Sequence, residues 1–408
     1  MVLSNKSIQN RIILIIFSFY SLFDFINGFL YFSGYNYPVS MVYKSILILL
    51  MLLSLSRIGS YAMVFIFSSV LILGFIYRIL QLGGQGGDFQ FLVRYVSFVV
   101  SFFYFSNSTF DDKDVKLFKI MIITNVIVIL ANIYSGLLGV GYTTYGSHSV
   151  NLNSGFGFKG FFIAGNELAP MLILFVCLFF IFFDFRYAFI KRQIFYFIFF
   201  FASILLGTKS AILGMFIVLT LIEVKYYDQY HYLIKLGFIF ILISYMIYSG
   251  SLYYQSGGFD LFIERYSWII QDKGIIDFVF SGRLSFLDDI FSLWYQDFSI
   301  LRFIFGVDYG YIDLVLAKPM VEIDFFDIFF LHGFSVLLVV AFVYFSILLS
   351  FVNNNEESIS KYISLRLLIV FLFMSFFSGH ILNSGMLLPL LPIVLVFSKR
   401  SFNENLVS

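Results

Sequence analysis

The chain has 408 residues, 61% of them hydrophobic and only 12% charged, with a net charge of +1 at neutral pH. Soluble domains carry about a quarter charged residues, so an ordinary soluble protein is excluded, and the near-zero net charge leaves no electrostatic footprint for nucleic acid. The lone cysteine, Cys177, lies inside an apolar run, which excludes an intrachain disulfide framework and makes packing its default role.

Apolar runs of about 20 residues recur along the chain, each long enough to cross a bilayer as a helix. Only helices and closed barrels satisfy their backbone in lipid, and stretches 12–19 and 45–53 lack the apolar–polar alternation of a barrel strand. The expected fold is therefore all-α, a polytopic transmembrane protein of about 12 spans. They are placed near 11–32, 38–55, 60–80, 91–106, 117–140, 166–185, 193–206, 210–224, 233–250, 324–351, 365–379 and 385–398. The first follows Lys6 and Arg11 without a small-residue cleavage site and reads as a retained helix. Two connections, 207–210 and 379–385, are very short. No internal repeat emerges, so nothing points to a doubled transporter architecture.

Lys and Arg in the short connections collect on the side of the N-terminus. The positive-inside rule then makes both termini cytoplasmic and places stretch 251–323, one long polar loop within a single integral membrane domain, outside. Arg78, Arg94, Lys159 and Lys209 break the rule by falling on the outer side. Two readings stand: the side chains snorkel to the interface, or several converge on an anionic ligand there. Glycines flank three of the four, at 83–87, at Gly157 and Gly160, and at Gly207, where they form turns or permit close backbone approach.

The four histidines show no ligand-like pairing and there is no cysteine cluster, so no metal is expected. Asp288, Asp289 and Asp297 fit a solvated amphipathic helix better than a cation site, and with no Walker or Rossmann signature no cofactor is implied. The outer loop carries Arg265, Lys273, Arg283, Arg302 and Lys318. Apolar spacing predicts a helix over 282–294, lying on the membrane surface with Arg283 at its start, where helix N–H groups also favour anions. Stretch 302–310 is expected as a strand or turn packed beneath it. Glu322, Asp324 and Asp327 then stand at the entry to the tenth span, Glu322 and Asp327 on different parts of the helix face. Carboxylates at a membrane boundary are costly unless hydrated, paired or functional, and for Glu322 a catalytic role and an ion-pairing role both stand open.

Five phrases in succession resemble the O-antigen polymerase and ligase superfamily of bacterial envelope polysaccharide assembly. They are 158–169 (with Gly165, Asn166 and Glu167), Gly207-Thr208-Lys209-Ser210-Ala211, Ser281-Gly282-Arg283-Leu284, Phe305-Gly306-Val307, and Glu322-x-Asp324-x-x-Asp327 followed by Gly333. The resemblance covers roughly 158–338. It implies a GT-C-like membrane fold with one large extracytoplasmic loop between late helices, in the bacterial inner membrane. It also implies glycosyl transfer on the outer face, in which a growing glycan passes from undecaprenyl pyrophosphate to a sugar hydroxyl of a new lipid-linked repeat unit. The implied partners are such lipid-linked oligosaccharides, membrane lipid, a flippase and a chain-length regulator.

Under that resemblance the pyrophosphate is stabilised first by Arg283, then by Lys209, Lys159 and Arg94, with Arg265 in the same loop. Glu322 is the implied base, with Asp324 second. Asn166 and Glu167 either hold sugar hydroxyls or cap a helix. Tyr253, Tyr254, Trp268 and Trp294 either stack on sugars or belong to the aromatic belt. Lys209 stands where many members carry Arg, which loses the bidentate fork. Glu322 stands where ligases commonly carry histidine, which favours the polymerase branch and leaves His332 a packing residue. A ligase is the nearest rival, and a lipid-linked oligosaccharide flippase is the rival from another class.

Overall fold

The protein is described by a computed structural model covering residues 2–55, 58–82, 86–145, 156–183, 185, 188–226, 280, 283–296, 298–307, 309–316, 320–352, 358–377 and 379–399. The expected span 233–250 and loop residues 251–279, including Arg265, Lys273, Tyr253, Tyr254 and Trp268, lie outside the described residues.

Helices dominate. In chain order they are α1 (Val2–Phe17), α2 (Tyr20–Phe32), α3 (Val39–Ser54), α4 (Ile58–Leu82), α5 (Gly86–Asn107), α6 (Asp112–Tyr134), α7 (Gly165–Phe182), α8 (Phe189–Leu206) and α9 (Lys209–Tyr226). Further along the chain come α10 (Arg283–Gln296), α11 (Ile300–Phe305), α12 (Tyr309–Val315), α13 (Asp324–Val352), α14 (Ile359–Phe377) and α15 (Leu395–Lys399). Among the described residues seven helical stretches are long and apolar enough to cross a membrane: Ser7–Phe32, Gly59–Leu80, Phe89–Asn107, Asp112–Leu138, Gly165–Phe182, Asp324–Val352 and Ile359–Phe377. This is the architecture of a membrane protein. Helix α7 is its axis, with 89% of its apolar window buried against neighbouring helices.

Local chemistry starts and ends these elements. Asp111 and Asp114 form a reciprocal capping box at the head of α6, each carboxylate accepting the other's backbone N–H at 2.9 and 2.8 Å. Between α6 and α7 lies one antiparallel hairpin, β1 (Tyr142–Tyr145) with β2 (Phe156–Gly160). Asn132 of α6 pins the hairpin's exit, donating to the Lys159 carbonyl at 2.7 Å and accepting the Phe161 N–H at 2.8 Å.

The later half departs from regular helix in two places. Helix α13 breaks at Gly333 (φ 81°), and the break receives Gly306 (φ 79°) from the turn after α11. A Cβ at Gly333 would sit 2.3 Å from the Ile304 carbonyl oxygen, and one at Gly306 would sit 2.5 Å from the Gly333 nitrogen. The Val307 N–H donates to the Phe330 carbonyl at 2.9 Å across the same contact. The strand or turn expected over 302–310 is thus a short helix, α11, followed by a glycine turn; Ser299 caps it by accepting the Arg302 N–H. Helix α10 packs Ile290 and Trp294 against Phe330 and Val307, close to the expected 282–294 helix.

The second departure is at 379–394. The expected span 385–398 is not one helix: turns run to Leu390, a 3₁₀ turn spans Leu391–Val394, and only α15 is regular. Pro389 and Pro392 each remove a backbone donor that a continuous helix would need. Irregular backbone at membrane depth survives only when buried in protein or lining a cavity, and here side chains from five helices satisfy it.

Candidate functional site

Segment 379–387 is the hub on which polar side chains of α2, α3, α5, α7 and α13 converge. From α13, one Asp324 oxygen accepts the N–H groups of both Ile381 and Leu382 at 2.8 Å, and the residue is fully buried. From α5, Arg94 donates to the Asn383 carbonyl at 2.9 Å and Tyr95 donates to the Asn383 side chain at 2.6 Å. From α7, Glu167 accepts from the Ser384 hydroxyl at 2.9 Å and the Met386 N–H at 3.1 Å, and stands 3.7 Å from Arg94. From α3, Lys44 donates to the Gly385 carbonyl at 3.1 Å, and Tyr20 of α2 reaches the same oxygen.

On one side of this hub lies the pair expected to carry the chemistry. The Arg283 guanidinium meets one Glu322 oxygen through Nη2 at 3.0 Å and Nε at 3.3 Å, with side chains 10% and 24% exposed respectively. Arg283 Nη1 also donates to the Phe377 carbonyl, at the C-terminal end of α14, where a cation complements the helix dipole. Glu322 is not on the helix. It precedes α13 in the left-handed region (φ 66°), with its N–H donating to Asp327 at 2.9 Å beside that of Val321 at 2.7 Å. Asp327 is therefore the tie that holds the Glu322 backbone, and the sequence view of both residues on one helix is corrected. His380 repeats the left-handed backbone (φ 60°), next to Gly379 (φ 59°). Non-glycine residues held there cost about 1–3 kcal/mol and collect at functional sites.

On the other side the ends of α2, α3, α5 and α7 surround an open cavity of about 370 Å³, lined by Asp24, Lys44, Arg94 and Glu167 together with Asn27, Asn36, Gln90, Tyr31 and Tyr37. Small-molecule sites occupy about 300–1,000 Å³. Lys44 pairs with Asp24 at 2.8 Å, and Ser40 also donates to that Asp24 oxygen.

The other residues expected at the site are dispersed. Lys159 is buried, its ammonium donating to the Ile163 carbonyl at 2.9 Å behind the cavity wall. Burial lowers its pKa from 10.5. Lys209 heads α9 and Asn166 lies in the first turn of α7; neither lines the cavity. Arg78 is buried and donates to the Phe305 carbonyl at 2.8 Å, at the end of α11. Three of the four cations that break the positive-inside pattern, Arg78, Arg94 and Lys159, thus anchor backbone carbonyls. Asp324 is placed as a backbone clamp, and Glu322 is the more accessible carboxylate. His332 is packed between Phe91 and Tyr95. Among the described residues no group of three His, Cys, Asp or Glu is placed to hold a metal.

Sequence reasoning assigned no role to Asp24 or Lys44. The available signal was their charge inside apolar spans, which is itself a functional pointer. No protein-family model matches the chain, and no curated protein matches it.

Proposed function

We propose that the protein is an undecaprenyl-pyrophosphate-linked glycan polymerase of the O-antigen polymerase type, acting at the outer face of the bacterial inner membrane. The observation that supports this reading is the Arg283–Glu322 pair. These residues lie 39 positions apart, and the resemblance separately gives them the roles of phosphate clamp and base; their side chains meet at 3.0 Å.

In the reaction, the donor pyrophosphate binds Arg283, which is suited to phosphate by its planar fork, and draws it from Glu322. The acceptor hydroxyl oxygen attacks the anomeric carbon of the growing glycan. The bond from that carbon to the pyrophosphate oxygen breaks, and undecaprenyl pyrophosphate leaves with the electron pair. Glu322 takes the hydroxyl proton. The donor's own leaving group drives the transfer, so no nucleotide is required.

A flippase is the competing reading, favoured by the buried Asp24–Lys44 pair and the broken last helix, both familiar in transporters. Deleting the gene in its host and resolving surface glycan by electrophoresis separates the two. A polymerase leaves single repeat units on the cell surface, whereas a flippase traps them on the cytoplasmic face. Restoring the gene with Arg283→Ala or Glu322→Gln is expected to leave polymer at least about 100-fold down. Full polymer from both variants would overturn the proposal.

A further inference from the structure

The cavity between α2, α3, α5 and α7 is separate from the Arg283–Glu322 pair, and its chemistry is of a different kind. Its four charged residues sum to zero, two cations against two carboxylates. A neutral lining does not select a bare pyrophosphate. It selects a ligand that donates and accepts many hydrogen bonds in one small volume.

The lining retains capacity for such bonds. The Lys44 ammonium has three N–H donors, and its bonds to Asp24 and Gly385 use two of them. Arg94 has five, of which one is given to the Asn383 carbonyl while Nη2 stands 3.7 Å from Glu167. Asp24 lines the cavity and is 8% exposed. The amides of Asn27, Asn36 and Gln90 line the same space. At the rim, Tyr37 stacks parallel to Tyr35, with ring centroids 6.2 Å apart and planes 9° apart, both rings more than half exposed. The exposed ring of Tyr37, a residue of the cavity lining, is suited to the apolar face of a pyranose.

We infer that this cavity, built around Asp24, Lys44 and Arg94, binds a saccharide. The inference rests on the proposed polymerase, for which it supplies a sugar subsite set apart from the bond-forming centre. Geometry bounds the separation. Gly379 touches the Glu322 backbone and Gly385 touches the Arg94 side chain. The six Cα-to-Cα steps from one to the other extend at most about 22 Å, so a saccharide held in the cavity remains tethered near the reacting end. The length of the repeat unit would thereby be sensed by where its far sugar fits.

The test uses the full-length protein in nanodiscs and a tritium-labelled oligosaccharide repeat, cut enzymatically from the host's own surface glycan and bearing no lipid or pyrophosphate. Wild-type protein is expected to bind it saturably. Rim variants Asn36→Ala and Gln90→Ala, and the charge-neutral pair Asp24→Asn with Lys44→Gln, are expected to weaken binding by about tenfold each, the worth of one hydrogen bond. Arg283→Ala should bind as the wild type does. No saturable binding to the wild type, or wild-type affinity in all three cavity variants, overturns the saccharide pocket even where gene deletion yields single repeat units. Cavity-dependent binding with normal polymer in the deletion host keeps the pocket and removes the polymerase.

Discussion

Gly379 lies so close to Glu322 that a Cβ on the glycine would sit 2.2 Å from the Glu322 carbonyl oxygen. Both residues occupy left-handed backbone, at φ 59° and 66°. Gly379→Ala therefore meets two penalties: about 1–2 kcal/mol for the left-handed conformation, and a collision that only backbone movement relieves. Because the backbone that must move carries the proposed base, polymer formation should fall more steeply than protein abundance. Quantifying glycan ladders against membrane protein level for Gly379→Ala checks this; parallel losses would mean a fold defect alone.

Asp324 should behave in the opposite manner. Its single oxygen holds two backbone N–H groups of the irregular segment. Asn at this position keeps the oxygen but loses the charge that strengthens both bonds, a cost of about 1–3 kcal/mol. Asp324→Asn is expected to lower the thermal unfolding midpoint in detergent while retaining turnover per folded molecule. A normal midpoint with abolished turnover would assign Asp324 to the chemistry.

The Asp24–Lys44 pair lends itself to a double-mutant cycle. Removing one partner of a buried pair costs about 3–5 kcal/mol, because the other charge is left uncompensated. Asp24→Asn and Lys44→Gln should each depress stability sharply, and the double variant should recover most of the loss. Additive losses, measured by thermal unfolding, would deny the coupling.

Lys159 yields a pH prediction. Burial lowers its folded-state pKa below the ordinary 10.5, so above the folded value the native state binds fewer protons than the unfolded chain. Stability then rises with pH from the folded pKa up to about 10.5 and is penalised below it. Lys159→Met should remove this alkaline gain, seen as a flatter unfolding midpoint between neutral and alkaline pH. An unchanged profile would show that the ammonium is already well solvated.

Much of the helical layout was legible because apolar length is written directly into residues such as those of α7 and α13. The meeting of Gly306 with Gly333 was half legible: both stood in the matched phrases, but periodicity carries no information about which turns interlock. Arg283 and Glu322 were found as separate chemical types, and only the tertiary fold makes them neighbours. The last span was misread since 385–398 is apolar throughout its middle, and hydropathy does not register what Pro389 and Pro392 remove. The cations Arg78, Arg94 and Lys159 were flagged by topology, yet each donates to a backbone carbonyl, a group that every residue possesses and no sequence pattern marks.

The irregular 379–394 segment has a consequence for biosynthesis. Stranded in lipid, its turns would expose amides and carbonyls at several kcal/mol each. The groups that quench them, on Lys44, Arg94, Glu167 and Asp324, all belong to helices made earlier by the ribosome. The order of synthesis is thus also the order of assembly, each docking partner waiting in the bilayer before the segment that needs it arrives. Moving this segment to the front of the chain by circular permutation would ask the insertion machinery to hold an unfinished polar backbone until its partners were translated.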